Sequence, residues 1–385
     1  MGSLKDKYAI VGIGQTEVGK LPHMTSIGIS VEACKRALKD AGMDIKDIDG
    51  ILSQPAYIDP TFMSTAWLAE NLNMTSEFTA DLNLGGATPI VMIEHAILAI
   101  ESGICSAVLC CYGERQRISM ERTPTHGRIR FGTEDFEWPY GLIMPAGSYA
   151  LGARRHMYEY GTKSEQLGAI AVACRKHACL NPGAQMQTPL TIEDYLKSPM
   201  FVEPFHTPDL CLISDGGGAV IVTSAERARD LKSQPIFISG IGEGLSKAHL
   251  SDCSSLTTFE GIKTSARKAF DMAEISLEDI DMAEFYDCFT YTVLVQIEDY
   301  GFCKKGEGGS FVEGGRIEIG GDLPVNTHGG LLSHAHIDGM NHIIEAVVQL
   351  RGFAGRRQVK DANIALVTGN GGHIFCSHST LILRR

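Results

Sequence analysis

The chain has no apolar run approaching the roughly 18–20 residues of a membrane span, which argues against a transmembrane helix. It has no Cys-x-x-Cys pair. Its eleven cysteines, an odd number, are scattered singly through helix and strand patterns, apart from Cys110-Cys111 inside an apolar run. That distribution speaks against disulfides and structural zinc, and for reduced thiols in the cytoplasm. Basic residues are in deficit, 34 Lys and Arg against 46 Asp and Glu, and the net charge is −12. Such a balance argues against sequence-independent nucleic-acid binding and against an anionic membrane surface, although a local basic pocket remains compatible with it. A strand pattern starts within the first ten residues, leaving no room for a signal peptide. Asp6 stands where a Met-Gly-Ser start would need Ser or Thr for myristoylation.

What is present is globular in composition, 44% apolar and 21% charged over 385 residues, enough for two domains. The chain also repeats itself. A β-branched run ends in Gly12-Ile13-Gly14, a helix-period segment places Ile27, Val31, Cys34 and Leu38 on one face, and Ile45-Lys46-Asp47-Ile48-Asp49 follows. Later, Ile236–Ile238 leads into Gly240-Ile241-Gly242, then Ile262, Ala266, Ala269 and Ala273 in helical register, then Leu277-Glu278-Asp279-Ile280-Asp281. Two ordered copies of a strand–helix–acidic-turn unit predict a duplicated α/β protein with its site at the seam.

Each copy continues in parallel. Gly85-Gly86-Ala87 opens a helix running to Ser102-Gly103, and the strand from Ala107 to Cys111 ends at Gly113. In the second copy, Ala335 to Gly339 opens a helix running to Arg351-Gly352, and the strand from Ile364 to Val367 ends in Gly369-Asn370-Gly371-Gly372. The halves are 1–230, with an insertion at about 114–210, and 231–385. Within the insertion, 116–139 reads as a charged surface excursion. Thr162-Lys163-Ser164-Glu165 has capping-box spacing before the helical run 167–178, which Asn181-Pro182-Gly183 stops. Ser214-Asp215-Gly216-Gly217-Gly218 precedes a strand at 219–222. Gly pairs at 308–309, 314–315 and 320–321 predict hairpin turns rather than a phosphate cradle.

Six of the thirteen histidines fall within 328–378: His328, His334, His336, His342, His373 and His378. His334-Ala335-His336 beside Asp338 suggests zinc, yet residues two apart point to opposite sides of an extended chain and no His-Glu-x-x-His helix occurs. No metal is expected. His328-Gly329-Gly330 and Gly369–Gly372 set histidine beside glycines at strand ends, where backbone N–H groups can approach an anionic oxygen. Tyr286-Asp287-Cys288-Phe289 follows the second acidic turn, and a tyrosine near a carboxylate can act as acid, base or hydrogen-bond donor to an enolate.

Taken together, these residues resemble the thiolase superfamily over nearly the whole chain, above all the sterol-carrier-protein thiolases and lipid-transfer-protein aldolases. Ser214-Asp215-Gly216-Gly217-Gly218 is similar to the family's S-D-G-A-A segment, Tyr286-Asp287-Cys288-Phe289 to its H-D-C-F, and 326–339 to its N-x-x-G-G-x-x-x-x-G-H-P-x-G block. The resemblance implies two βαβαβ halves in a five-layered αβαβα core, usually a tight dimer, acting on coenzyme A thioesters. It implies no bound cofactor. It also implies a partner, a small protein combining a zinc ribbon and an OB-fold.

The departures matter more. Counting back from Ser102-Gly103 places Gly86 where the family carries its nucleophilic cysteine, and Gly369 falls where the second cysteine belongs. Tyr286 replaces the H-D-C-F histidine; only His336 survives from G-H-P, flanked by Ala335 and Ile337. Transfer through a covalent thioester needs a thiolate. The expectation is therefore retro-aldol cleavage of a β-hydroxyacyl-CoA, with Tyr286 as base, Asp287 relaying or orienting, and His336 in the oxyanion pocket. Gly86, His328, Gly330, Gly371 and Gly372 complete that pocket. The rivals are Claisen-type thiolysis or acyl transfer with Cys288 or Cys376 as nucleophile, and a catalytically silent acyl-CoA-binding subunit.

Overall fold

The computed structural model describes residues 4–122, 132, 135–142 and 145–385. The first copy of the repeat runs β1 (Tyr8–Gln15), α1 (Ser26–Ala41), β2 (Gly50–Gln54), α2 (Ser64–Asn71), β3 (Phe78–Asp81), α3 (Thr88–Glu101) and β4 (Ala107–Arg115). The insertion follows with α4 (Gln116–Arg122), α5 (Pro145–Tyr160), α6 (Ser164–Leu180), α7 (Ile192–Lys197) and the short pair β5 (Met200–Val202) and β6 (Phe205–His206). Then come β7 (Asp215–Ser224) and α8 (Ala225–Ala228). The second copy runs β8 (Ile236–Leu245), α9 (Glu260–Ala273), β9 (Met282–Glu284), α10 (Thr290–Tyr300), α11 (Gly308–Phe311), α12 (Met340–Leu350), β10 (Ile364–Gly371) and β11 (Ser377–Arg384).

Nine strands join in the order β3-β2-β4-β7-β1-β8-β11-β10-β9. Outward from the β1–β8 junction, both halves place their strands alike. β2 is parallel to β3 and β4, and β7 is antiparallel to β4 and β1. Likewise β9 is parallel to β10, and β11 is antiparallel to β10 and β8. The counterpart of β3 shrinks to one parallel bridge, Ala283 to Val325. Pro324 has no N–H to extend that ladder, and Asn326, at φ 53°, turns the chain away.

The layers follow from the strand alternation. In β4, Val108, Cys110 and Tyr112 face the central core, while Ala107, Leu109 and Cys111 face α1. Both faces are covered, which is why the strand reads as a continuous apolar run. The central layer holds α3 (Ile90, Ile93, Ile97) and α12 (Met340, Ile343, Val347) between strands of both halves. The outer layers are α1 on one side and α9 with α10 on the other, giving αβαβα. The paired glycines of the repeat let helix meet strand. A Cβ at Gly12 would lie 2.5 Å from the Ala37 carbonyl oxygen, and one at Gly242 2.6 Å from that of Ser265.

Several local expectations shift. The buried face of α1 centres on Ile29, Ala33, Ala37 and Ala41 with Cys34 and Leu38, leaving Ile27 and Val31 at its rim. At α6 the cap is Lys163, whose N–H donates to Gln166 Oε1, while Thr162 bonds His156 instead. The Gly pairs make turns and the start of α11, with no strand hairpin among them. Strand β7 already begins at Asp215. The charged excursion starts as α4, and 123–131 lies outside the described residues.

Candidate active site

Segments of both halves meet beyond the C-terminal ends of β2, β9 and β10, at the starts of α3 and α12, where ligands of open α/β sheets bind. Tyr286 stands at the centre, buried. Its ring lies directly over Gly86: a Cβ there would overlap Cζ, Cε2 and the hydroxyl. On another side a Cβ at Gly339 would come 3.1 Å from Cδ2. The main chain of Tyr286 is fixed as well. Its N–H donates to Thr368 Oγ1 (2.9 Å), and its carbonyl accepts from Thr292 Oγ1 (2.9 Å) and Gln296 Nε2 (3.0 Å). Such support holds a functional side chain in one geometry.

The phenol donates to Asp338 Oδ1 at 3.1 Å and lies 3.2 Å from His336 Nε2. The other oxygen of Asp338 accepts from Tyr57 (2.9 Å) and from Gln54 Nε2. Burial, and next the Asp338 carboxylate, push the phenol well above its usual pKa. Burial likewise lowers His336, which keeps that ring neutral, and among the described residues its Nδ1 has no hydrogen-bond partner. A phenol acting alone as base needs a lowered pKa; here the reverse holds, so the resting tyrosine is a proton donor to a carboxylate. A second buried carboxyl stands close by. Glu114 accepts from Tyr112 and from the Ile58 N–H, both at 2.5 Å, and burial raises it to about 7.

Asp287 is not in this group. Its carboxylate turns away to accept from the N–H groups of Leu331 (2.8 Å) and Leu332 (3.3 Å) and to face His342 Nε2 at 3.2 Å. Gly330 packs on that carboxylate, and His328 lies 2.9 Å from His342 and 2.8 Å from His334. The expected residues therefore divide. Tyr286, His336 and Gly86 come together, and Gly371 and Gly372 back Gly85, to whose Cβ position Gly371 Cα is 2.5 Å and Gly372 N 3.2 Å. Asp287, His328 and Gly330 form a second buried cluster. His334 and His336 separate, one to each cluster.

Among the described residues, one group of donors, Glu284, His328 and His342, is compact enough to hold a metal ion, its atoms within 4.8 Å of one another. The same spacing suits hydrogen bonds. Burial raises both thiols considered as nucleophiles, Cys288 beside Tyr149 and Cys376 packed on Gly372. Sequence reasoning missed Asp338 as a partner of the phenol because it occupies the variable position of the G-H-P-x-G block. Gln54, Tyr57, Glu114 and His342 carried no motif at all.

A family model for the "Thiolase C-terminal domain-like" region matches residues 242–385. Over 383 residues the chain is 36% identical to a steroid side-chain-cleaving aldolase of Thermomonospora curvata, covering 96% of this chain and 97% of that one. It is 35% identical over 379 residues to a 17-hydroxy-3-oxo-4-pregnene-20-carboxyl-CoA lyase of Mycobacterium tuberculosis, covering 96% and 97%. A solved structure titled "Ltp2-ChsH2(DUF35) aldolase" superposes with a TM-score of 0.91 at 36% identity, covering 100% of this chain and 99% of that one.

Proposed function

This chain belongs to the thiolase superfamily, and from that premise we propose that it cleaves a β-hydroxyacyl-CoA by retro-aldol chemistry. It is a thiolase-like carbon–carbon lyase. The observation that carries the reaction type is the replacement of a thiol at residue 86 by the hydroxyl of Tyr286, backed by Asp338 and His336.

In the cleavage direction the substrate β-hydroxyl gives its proton to the Tyr286 oxygen while the phenol's own proton passes to Asp338. The Cα–Cβ bond breaks, Cβ becomes the carbonyl of the departing product, and the electron pair moves into the thioester as an enolate. His336 and backbone N–H groups near Gly86 and Gly371 bear on that oxygen; Cα then takes up one proton, and the proton gained by Asp338 supplies it by way of the phenol, which returns the site to its resting state. Donors of this kind are each worth on the order of 3–4 kcal/mol. The part first given to Asp287 falls to Asp338.

The substrate is a coenzyme A thioester, with no resident cofactor required. The two-component name of the solved neighbour supports assembly with a second subunit, for which a small zinc-ribbon and OB-fold protein is the expected partner. A second copy of this chain is expected beside β3, an edge strand with Phe62, Met63 and Trp67 exposed close by in sequence. The eleven unpaired cysteines suit the cytoplasm, and no helix among the described residues is long and apolar enough to cross a membrane.

The test is to supply a β-hydroxyacyl-CoA, with and without the partner, and follow products. A carbonyl compound and a shortened acyl-CoA should appear in equal amounts with no free CoA released or consumed. CoA-dependent thiolysis of a 3-oxoacyl-CoA instead would sink the reading.

A further inference from the structure

Among the described residues neither Glu284 nor Asp287, both fully buried, is ion-paired with a lysine or arginine. Two negative charges enclosed without a cation are costly, and what surrounds them is histidine. Glu284 Oε2 lies 3.2 Å from His328 Nε2 and 3.4 Å from His342 Nδ1, yet it accepts no hydrogen bond. The two ring nitrogens lie 2.9 Å apart. One N–H between them serves the imidazoles and leaves the carboxylate oxygen facing two nitrogens without a donor. Three donor atoms thus converge on a common point. Zinc bonds of about 2.0–2.1 Å at tetrahedral angles space their donors about 3.3 Å apart, near the separations found here.

We propose that Glu284, His328 and His342 bind one divalent transition-metal ion, zinc by the donor set of two imidazoles and a carboxylate, as a structural centre behind Tyr286. The far side of each ligand is already held, as it is around metal ligands generally. Glu284 Oε1 accepts from the N–H (3.0 Å) and the hydroxyl (2.8 Å) of Thr327. His328 Nδ1 lies 2.8 Å from His334 Nδ1, and His342 Nε2 faces Asp287 Oδ1 at 3.2 Å. The charges close as well. Glu284 and Asp287 match the dication, while Glu345, bonded to Thr327, is already paired with Arg357 at 2.8 Å. Among the described residues no fourth His, Cys, Asp or Glu joins the set, so water takes the remaining position. These are not the His334 and His336 that the sequence alone set beside Asp338. The ion pins the end of β9, the His328–Gly329 turn and the first turn of α12 to one another, with the Tyr286 and His342 ring centres 6.2 Å apart. It touches no reacting atom, and the steps proposed for Tyr286 do not pass through it.

The experiment measures metal in the full chain, prepared without a polyhistidine tag, incubated with zinc chloride and dialysed. The expected partner brings zinc of its own and is left out. Wild type should hold about one zinc per chain, and His328→Ala and His342→Ala less than about a fifth of that. A chelator should lower the thermal midpoint of wild type and added zinc restore it, with no such response in His342→Ala. A wild type that takes up no zinc, or a full equivalent retained in both histidine variants, would overturn the proposal. If the variants do not fold, X-ray absorption at the zinc edge of wild type decides. Imidazole nitrogen and carboxylate oxygen at about 2.0–2.1 Å support the site, and sulfur at about 2.3 Å overturns it. None of these readouts uses turnover, so they hold whether or not the chain cleaves a β-hydroxyacyl-CoA.

Discussion

The hydroxyl of Tyr286 occupies the place into which a side chain at Gly86 would project. The two residues come from different halves of the repeat, and the absence at one is filled by the presence at the other. A nucleophilic side chain at residue 86, just before α3, and this phenol cannot share the site, so the change at residue 86 and the change in the H-D-C-F-like motif form one structural substitution. In place of a thiol that attacks a thioester carbonyl stands an oxygen that can take a proton from a neighbouring hydroxyl.

Gly86→Ala should accordingly destabilise the protein and cripple turnover together, because the new methyl overlaps the Tyr286 ring. Overpacking of a filled core costs about 1–3 kcal/mol. In a Tyr286→Ala background the same change at residue 86 should cost little further stability in thermal denaturation, although the truncated ring leaves a cavity of its own and activity stays lost. An equal cost of Gly86→Ala in both backgrounds would show that residue 86 does not press on the ring.

The carboxylate that matters to the phenol is Asp338. Asp338→Asn should lower kcat by about 10²–10⁴-fold, the scale of a lost general base, as should Tyr286→Phe. Substrate binding should change little in either. Asp287→Asn, outside hydrogen-bond reach of the phenol, should act mainly on stability. Steady-state kinetics of the three variants distinguish these roles; a benign Asp338→Asn would return the search for the proton acceptor to His336.

No covalent acyl-enzyme should accumulate. With Gly86 and Gly369 at the two thiolase cysteine positions, and the Cys288 and Cys376 thiols raised by burial, no thiolate is poised for attack. Intact-mass measurement after mixing with acyl-CoA should show the unmodified chain. An adduct on Cys288 or Cys376 would favour the acyltransferase rival.

In protein stripped of metal ions, the His342 pair network should appear in the pH dependence of stability. Folding raises this group from 6.5 to about 9, the carboxylate contacts of Asp287 and Glu284 overcoming its burial. The folded protein thus holds the proton more tightly than the unfolded chain. Its contribution is complete below pH 6.5 and is lost as pH rises towards 9. The difference in unfolding free energy between wild type and His342→Gln should shrink over that window by about 2–3 kcal/mol. A difference independent of pH would mean that His342 is neutral in the native state.

The sequence by itself determined the duplicated architecture, because its signals are local and periodic. The glycine pairs at 12, 14, 240 and 242, the apolar faces of α1 and α9, and the acidic turns each follow from what one strand and one helix require to pack. It also revealed the missing cysteine, since an absence at a fixed spacing needs no folding to be read. Only the tertiary structure decided which carboxylate serves the tyrosine. Asp287 is its neighbour in sequence, yet adjacent residues leave the end of a strand in opposite directions, and Asp287 departs towards His342. Asp338 reaches the phenol from fifty-two positions away because Gly86 and Gly339 bring the starts of α3 and α12 against the same ring. The direction of the phenol's pKa belongs to that level too: it depends on burial and on a charge supplied across the seam, and neither is written in any one segment of the chain.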